Sequence, residues 1–294
     1  MPTTGPEETK YMQQDEEASL WYFAIGSMML PESCEHRHFY PQESKPAELF
    51  DFKMHFFGMM GYAEAVPSPG DSMHGVMHRV TPSQMKELDN VEIGYIRTAG
   101  KARPYDTNSS SSNQLVEVTV YCRPEEARKP EEDRPPQERY LEILIAGAEH
   151  HRVDSKYIDF LKNQEVQKRT PPDQFQSHDD PPSDADHYTK VPEPTPDGKL
   201  YFTLNGKLLE FSYPRDNRHG TFFEYFRNKY GPHMEIGLSQ VAFDLKYGMI
   251  DKVNDMTPEH SAYLEDWHVR FLQKFDEQHY CKVLGKFSHP ERGD

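Results

Sequence analysis

The run WYFAIGSMML, residues 21–30, ends an apolar segment on Gly26-Ser27, and here the 294-residue chain first offers chemistry. A glycine after a strand lets the backbone bend tightly or approach a ligand, because no Cβ stands in the way. Ser27, read as a nucleophile, would need an adjoining base, and no Gly-x-Ser-x-Gly elbow frames it. Two histidine clusters, His36-Arg37-His38 and Glu149-His150-His151, lack a cysteine partner or a metal-ligand spacing and read as exposed side chains. Asp179, Asp180, Asp184 and Asp186 read as solvated chain, not as a calcium loop. Cys34, Cys122 and Cys281 are too few and too scattered for a disulfide framework, and read as free thiols in a reducing compartment.

The elements that must position Gly26 follow from pattern. Residues 1–19 are acidic and without an apolar stretch, the composition of a disordered leader and not of a signal peptide. Residues 20–164 read as one α/β unit. Strands are expected at 49–58, 62–70, 73–80 and 114–122, the last preceded by the loop TNSSSSN. Thr81, Pro82 and Gln84 form the start signal of a short helix, with Met85 and Leu88 on one face. A proline-rich loop leads to a second helix, QERYLEILIAGAEH, with Tyr140, Ile143, Leu144 and Gly147 at helical spacing. A third, capped helix spans 154–164, with Tyr157, Phe160 and Leu161 facing inward. Residues 165–197 have the composition of a linker or long surface excursion. In the extension, 198–294, strands flank Asn205-Gly206 as a primed hairpin turn prefers. Amphipathic helices are expected at 221–231 and 257–275, where Tyr263, Trp267 and Phe271 form a packing stripe.

Composition narrows the function. The net charge of −16, from 33 basic and 49 acidic residues, disfavours nucleic acid and anionic membrane surfaces as partners. An apolar share of 35% and 24 prolines imply a globular body with loop-rich insertions. No run approaches the roughly 18 apolar residues of a membrane span, and a cytoplasmic location is expected.

The run SPGDSMHGVMHRVTPSQMKELDNVE, residues 68–92, resembles the gamma-glutamylcyclotransferase family in order and spacing. That family shows a Ser-Pro-Gly-Asp turn, a Gly-Val strand, a short helix and a Leu-Asp pair, with its catalytic glutamate three residues beyond the Asp. Here these are Gly75-Val76, Leu88-Asp89 and Glu92. YFAIGSMML resembles the family's Tyr-Gly-Ser-Asn segment, DFKMHFFG its Asp-Phe-Lys strand, and the stretch from RPPQERY to FLKNQ its proline-rich loop, tyrosine and last two helices. The resemblance covers about residues 20–163.

It implies an α+β fold: a mixed β-sheet closing toward a barrel with packed helices, here followed by a C-terminal α+β extension. It implies an enzyme of glutathione metabolism that closes a small γ-glutamyl amide to 5-oxoproline, with Glu92 as acid and base and no metal or organic cofactor. Tyr22, Ile25, Gly26, Ser27, Met28, Tyr95 and Tyr140 fall at the substrate-binding positions. Ile25 and Met28 replace the family's tyrosine and asparagine, which spares a backbone cradle for the substrate's α-carboxylate but removes two side-chain hydrogen bonds. Two other readings stand beside this one. One is a non-catalytic binding or scaffold protein on the same fold, and the other an enzyme of specialised metabolism acting on a different acyl-amine. Three roles are open to the last hundred residues: cover for the pocket mouth, a homodimer contact, or recruitment of a partner.

Overall fold

The computed structural model describes residues 19–58, 61–92, 94–105, 114–167, 186–212, 218–241 and 281–289, together with 250, 252–258, 260, 261 and 264. Five strands close into a barrel: β1 (Leu20–Ala24), β2 (Glu43–Phe57), β3 (Tyr62–Val80), β4 (Ile96–Pro104) and β5 (Val116–Cys122), in the order β1-β3-β2-β4-β5. β1 runs antiparallel to β3, from Leu20 opposite Val80 to Ala24 opposite Val76, and meets β5 in parallel at Tyr22 and Thr119. Phe23, Met29, Leu49, Met73, Met77 and Met85 are fully buried within this unit. The α+β class expected from the sequence is the class observed.

The two strands expected at 62–70 and 73–80 are one. Phe50 pairs with Ser72 and Phe52 with Pro67, so residues 68–71 bulge opposite Asp51 while the ladder continues on both sides. Gly70 N–H donates to Asp51 Oδ1 at 2.9 Å, and Ser68 Oγ donates to Asp71 at 2.5 Å. β4 was not expected, because its inward positions are Thr98, Gly100 and Ala102, too small to register as an apolar alternation.

Short helices pack on the barrel: α1 (Pro31–His36), α2 (Pro82–Val91), α3 (Glu138–His150) and α4 (Ser155–Lys162). α2 begins at the expected capping box. Thr81 Oγ1 accepts from Gln84 N–H at 3.2 Å, and the Gln84 side chain accepts from Thr81 N–H at 2.9 Å. Asp154 caps α4, whose Tyr157 and Leu161 are buried. Phe160, expected to face inward, is 43% exposed and lies against the Tyr157 ring on the outer face.

A second sheet is ordered β6 (His187–Tyr188), β9 (Cys281–Phe287), β8 (Lys207–Ser212), β7 (Lys199–Leu204). Asn205 and Gly206 both take positive φ, 49° and 75°, in the β7–β8 turn. Phe202 and Phe211 pack with Phe223 and Phe226 of α5 (Arg218–Tyr230) and Leu238 of α6 (Met234–Val241). The short β6, α6 and β9 had no counterpart in the sequence reading. Residues 1–18, the loop 106–113, residues 168–185 of the linker and the stripe of Tyr263, Trp267 and Phe271 lie outside the described residues. α5 packs against α2 and α6 against α1, so the second sheet's helices meet the barrel.

Glu64 is fully buried in the barrel wall, and its carboxylate is satisfied. Arg123 donates through Nε at 3.0 Å and Nη2 at 2.9 Å, and Arg128 through Nε at 2.9 Å. The Arg123 guanidinium also stacks over Phe57 at 3.5 Å. Removing one partner of such a buried cluster strands the others' charge at a cost of about 3 kcal/mol or more. Glu64→Gln is therefore expected to lower the unfolding free energy from urea titration by about 3 kcal/mol, seen as a lower midpoint, and an unchanged midpoint would refute the assignment.

Candidate active site

Glu92 is the residue on which α2 stops. Its N–H still bonds to Leu88 O at 2.8 Å, and its carbonyl accepts from Tyr95 N–H at 3.1 Å, so Glu92 and Tyr95 are the two ends of one tight turn. The preceding Leu88-Asp89 pair holds this helix end in place. Leu88 is buried in the core, and Asp89 receives Arg97 in bidentate fashion, Nε at 2.7 Å and Nη2 at 2.5 Å. Tyr121 of β5 donates to the same carboxylate at 2.7 Å, and Arg97 Nη2 also reaches the Met85 carbonyl at 3.0 Å. β4 and β5 thus fix the point from which the Glu92 side chain leaves.

β1 is followed by a tight 3₁₀ turn, Ser27–Met29. Met29 N–H bonds to Gly26 O and Leu30 N–H to Ser27 O, both at 3.0 Å. Among the described residues the N–H groups of Ser27 and Met28, which open the turn, have no backbone partner. The turn is pinned from beneath at the Met28 carbonyl, which accepts from His78 Nε2 at 2.9 Å and from Cys34 Sγ at 3.2 Å. Ser44 Oγ lies 2.8 Å from His78 Nδ1. Burial lowers His78 to about 4, so the imidazole is neutral at pH 7. With its proton on Nε2 for Met28, its bare Nδ1 accepts from Ser44.

Gly26 has an ordinary negative φ of −109°, so its need for glycine is not conformational. A Cβ there would lie 2.8 Å from the hydroxyl of Tyr140. That hydroxyl accepts from Ala63 N–H at 3.2 Å, which spans the turn and β3. Gly147, two turns further along α3, lets the helix sit directly on the turn's backbone, since a Cβ would meet Met29 C at 2.8 Å and Leu30 N at 2.9 Å. One helix therefore presses on the turn and delivers Tyr140 to it. The Ile25 and Met28 side chains are buried in the barrel's apolar cluster, leaving the turn's backbone as their contribution to the site.

Burial raises the Glu92 carboxyl to about 7, against the opposing charge of Arg37. Its charge in turn reaches three phenols. Tyr22, Tyr95 and Tyr140 are all raised above the usual tyrosine range, first by burial and then, among other charges, by Glu92. Of the residues singled out in the sequence, Glu92, Tyr22, Tyr95 and Tyr140 share one electrostatic neighbourhood, and Tyr140 ties it to Gly26. Arg37 was passed over because its neighbours His36 and His38 drew attention as metal ligands. Its guanidinium donates to Ser33 O at 2.9 Å, and its charge is felt at Tyr22, Tyr62, Tyr140 and also at Tyr230 on α5. A separate hollow of about 240 Å³, lined by Lys53, His55, Arg128 and Lys129 among others, lies beside the Glu64 cluster and does not include Glu92.

Residues 22–142 match the family model described as gamma-glutamyl cyclotransferase, AIG2-like. The human gamma-glutamylcyclotransferase is 26% identical over 172 residues, covering 54% of this chain and 81% of that protein. Among solved structures, an uncharacterized human protein aligns at 26% identity with a TM-score of 0.44, over 53% of this chain and 93% of that one. A gamma-glutamyl cyclotransferase aligns at 24% identity with a TM-score of 0.43, over 52% and 92%. The similarity to gamma-glutamylcyclotransferases thus lies in the barrel portion of the chain. Among the described residues no helix is long and apolar enough to cross a membrane.

The raised carboxyl has a thermodynamic signature. Between pH 4.5 and about 7 folded Glu92 holds a proton that the unfolded chain has lost, so stability present below pH 4.5 is lost as pH rises through 7. The full loss is about 3 kcal/mol. His78 works in the opposite sense: its stabilisation is full above pH 6.5 and is lost as pH falls through about 4. The two slopes oppose each other in wild type, so the difference between variants is the readable quantity. Glu92→Gln is expected to be more stable than wild type by up to about 3 kcal/mol above pH 7, with the gap closing toward pH 4.5. A difference that does not vary with pH in urea titrations would contradict the assignment.

Proposed function

We propose that the chain closes the γ-glutamyl amide of a small molecule to 5-oxoproline and releases the amine or amino acid. The observation that carries this reading is Glu92, a carboxyl held near 7 in the neighbourhood of a phenol, Tyr140, whose oxygen lies against Gly26. The similarity to the human gamma-glutamylcyclotransferase supports the same substrate class.

The chemistry follows from the carboxyl. The substrate's α-amine is its own nucleophile, but near neutral pH it is an ammonium ion and cannot attack. An α-amine of pKa about 8 gives its proton to a base of pKa about 7 at a cost of about 1.4 kcal/mol, against about 5 kcal/mol for a glutamate at its ordinary pKa. Glu92 takes the proton, and the freed amine nitrogen attacks the γ-carbonyl carbon. The oxyanion collapses and the bond to the departing nitrogen breaks as Glu92 returns the first proton to that nitrogen. The ring nitrogen, which still carries two hydrogens, gives its second proton through the freed Glu92 carboxylate to the released amine, which leaves as an ammonium ion while the five-membered lactam keeps one N–H. The turn's N–H groups at Ser27 and Met28 hold the α-carboxylate, and Tyr140 and Tyr22 confine the folded substrate in the geometry of attack. Tyr95, fixed to Glu92 through their shared turn, walls the carboxyl from water and keeps its pKa high.

The test is release of 5-oxoproline from a panel of γ-glutamyl amines and dipeptides. Wild type is expected to turn over at least one member, with kcat/KM rising as pH passes through about 7 as Glu92 ionises. Glu92→Gln is expected to lose 10²- to 10⁴-fold in kcat, the usual scale of general acid–base catalysis. Retained turnover in Glu92→Gln would remove this mechanism. Saturable binding of panel members without turnover in wild type would make the barrel a binding module.

A further inference from the structure

The second sheet carries a cluster that the proposed reaction does not use. His233, Glu235 and His289 each offer one donor atom, and the three atoms lie within 4.8 Å of one another. His233 and Glu235 stand at the entrance to α6, and His289 follows β9, so the cluster gathers two remote stretches of chain beside β7. Glu235 is only 1% exposed, and among the described residues it makes no ion pair. Its oxygens accept from Thr203 Oγ1 at 2.8 Å and from Asn205 N–H at 2.8 Å, which orient the group without neutralising it. A buried carboxylate is ordinarily paired with a cation or coordinated to a metal.

The histidines complete a donor set. Thr203 has one hydroxyl proton, and it points to Glu235. The Thr203 oxygen is then left to accept from His233 Nδ1–H at 2.9 Å. That bond fixes the tautomer and leaves the lone pair of His233 on Nε2, where a metal ligand needs it. His289 Nε2 is shielded from solvent and has no hydrogen-bond partner among the described residues. The two rings lie 4.9 Å apart between centroids, tilted by 60°. Two adjacent imidazoles, each with a ring nitrogen free of a hydrogen-bond partner among the described residues, and an oriented carboxylate suit a cation.

We propose that His233, Glu235 and His289 bind one first-row divalent metal ion, zinc by preference, and that the ion fastens the segment after β9 to the start of α6. Neutral imidazoles and a carboxylate are borderline donors of the kind zinc takes, and three of them leave a fourth tetrahedral position for water or another donor. Metal–donor bonds of about 2.0–2.1 Å put donors roughly 3.4 Å apart, so the three donors, now within 4.8 Å of one another, draw closer when the ion binds. The site is distinct from Glu92 and stands or falls apart from the cyclotransferase reading.

The full chain, freed of any affinity tag and dialysed against chelator, is equilibrated with zinc chloride at pH 7 and its metal content measured. One zinc per chain is expected, with a rise in thermal midpoint, whereas His289→Gln is expected to weaken zinc binding by at least about tenfold. His150→Gln serves as a control on an exposed histidine and should bind as wild type does. Cobalt(II) in wild type supplies a readout that needs no variant: an intense visible d–d spectrum of low coordination number is expected, not the faint spectrum of the hexaaquo ion. No zinc above the dialysis blank, or undiminished zinc in the His233→Gln/His289→Gln double variant, overturns the proposal.

Discussion

The constraint on which this molecule turns is the cost of withdrawing a carboxylate, wholly or in part, from water. Three glutamates meet that cost in three ways. Glu64 is surrounded by two guanidiniums that supply donors to both of its oxygens, and it serves the barrel wall. Glu235 is oriented by a hydroxyl and a backbone N–H and makes no ion pair among the described residues, which is why it stands in the proposed metal cluster. Glu92 sits between: Arg37 is close enough to be felt but does not outweigh burial, and the carboxyl stays near 7. A guanidinium in direct contact would make Glu92 an ion-paired wall residue, as Glu64 is.

Keeping Glu92 in that state requires walls that do not close on it. α2 cannot slide, because Asp89 is held by Arg97 and Tyr121 from two strands. The turn after β1 cannot flatten, because the Met28 carbonyl is held by His78 and Cys34 while α3 bears on Met29 and Leu30 through Gly147. One set of contacts fixes the end of α2 that carries Glu92 and the other fixes the turn, and rigid elements hold such positions better than loops do.

What the sequence made legible was local. The capping box at Thr81 and the Asn205-Gly206 turn are decided by residues three or four apart, and both are where the pattern places them. Glu92 stood out only within a longer frame, since a lone glutamate after a helix has no signature. The rest depends on pairing across distance. β4 packs small residues inward because Leu49 and Val120 already fill that space, so its strand pattern cannot be seen without its neighbours. His78 reads as one histidine among fifteen until β3 brings it beneath Met28. His289 lies more than fifty residues from His233, and no spacing rule joins them. The glycine at 26 was legible as a close approach, but what approaches within this chain is the phenol of Tyr140, a partner supplied from α3.

The departures at Ile25 and Met28 take their meaning from where those side chains lie. Both are in the barrel's apolar cluster, so an aliphatic residue at either position adds to core packing, while the turn's N–H groups do not depend on side-chain identity. Specificity must then come from elsewhere on the rim. The second sheet is placed to supply it: α6 packs on α1, which follows the turn directly, and α5 packs on α2, which ends in Glu92. Tyr230, at the end of α5, lies within the field of Arg37, the same charge that moderates Glu92. Whatever orders α5 and α6 therefore bears on both sides of the candidate site at once. A cluster at the start of α6 sits one helix away from the turn that would receive the substrate.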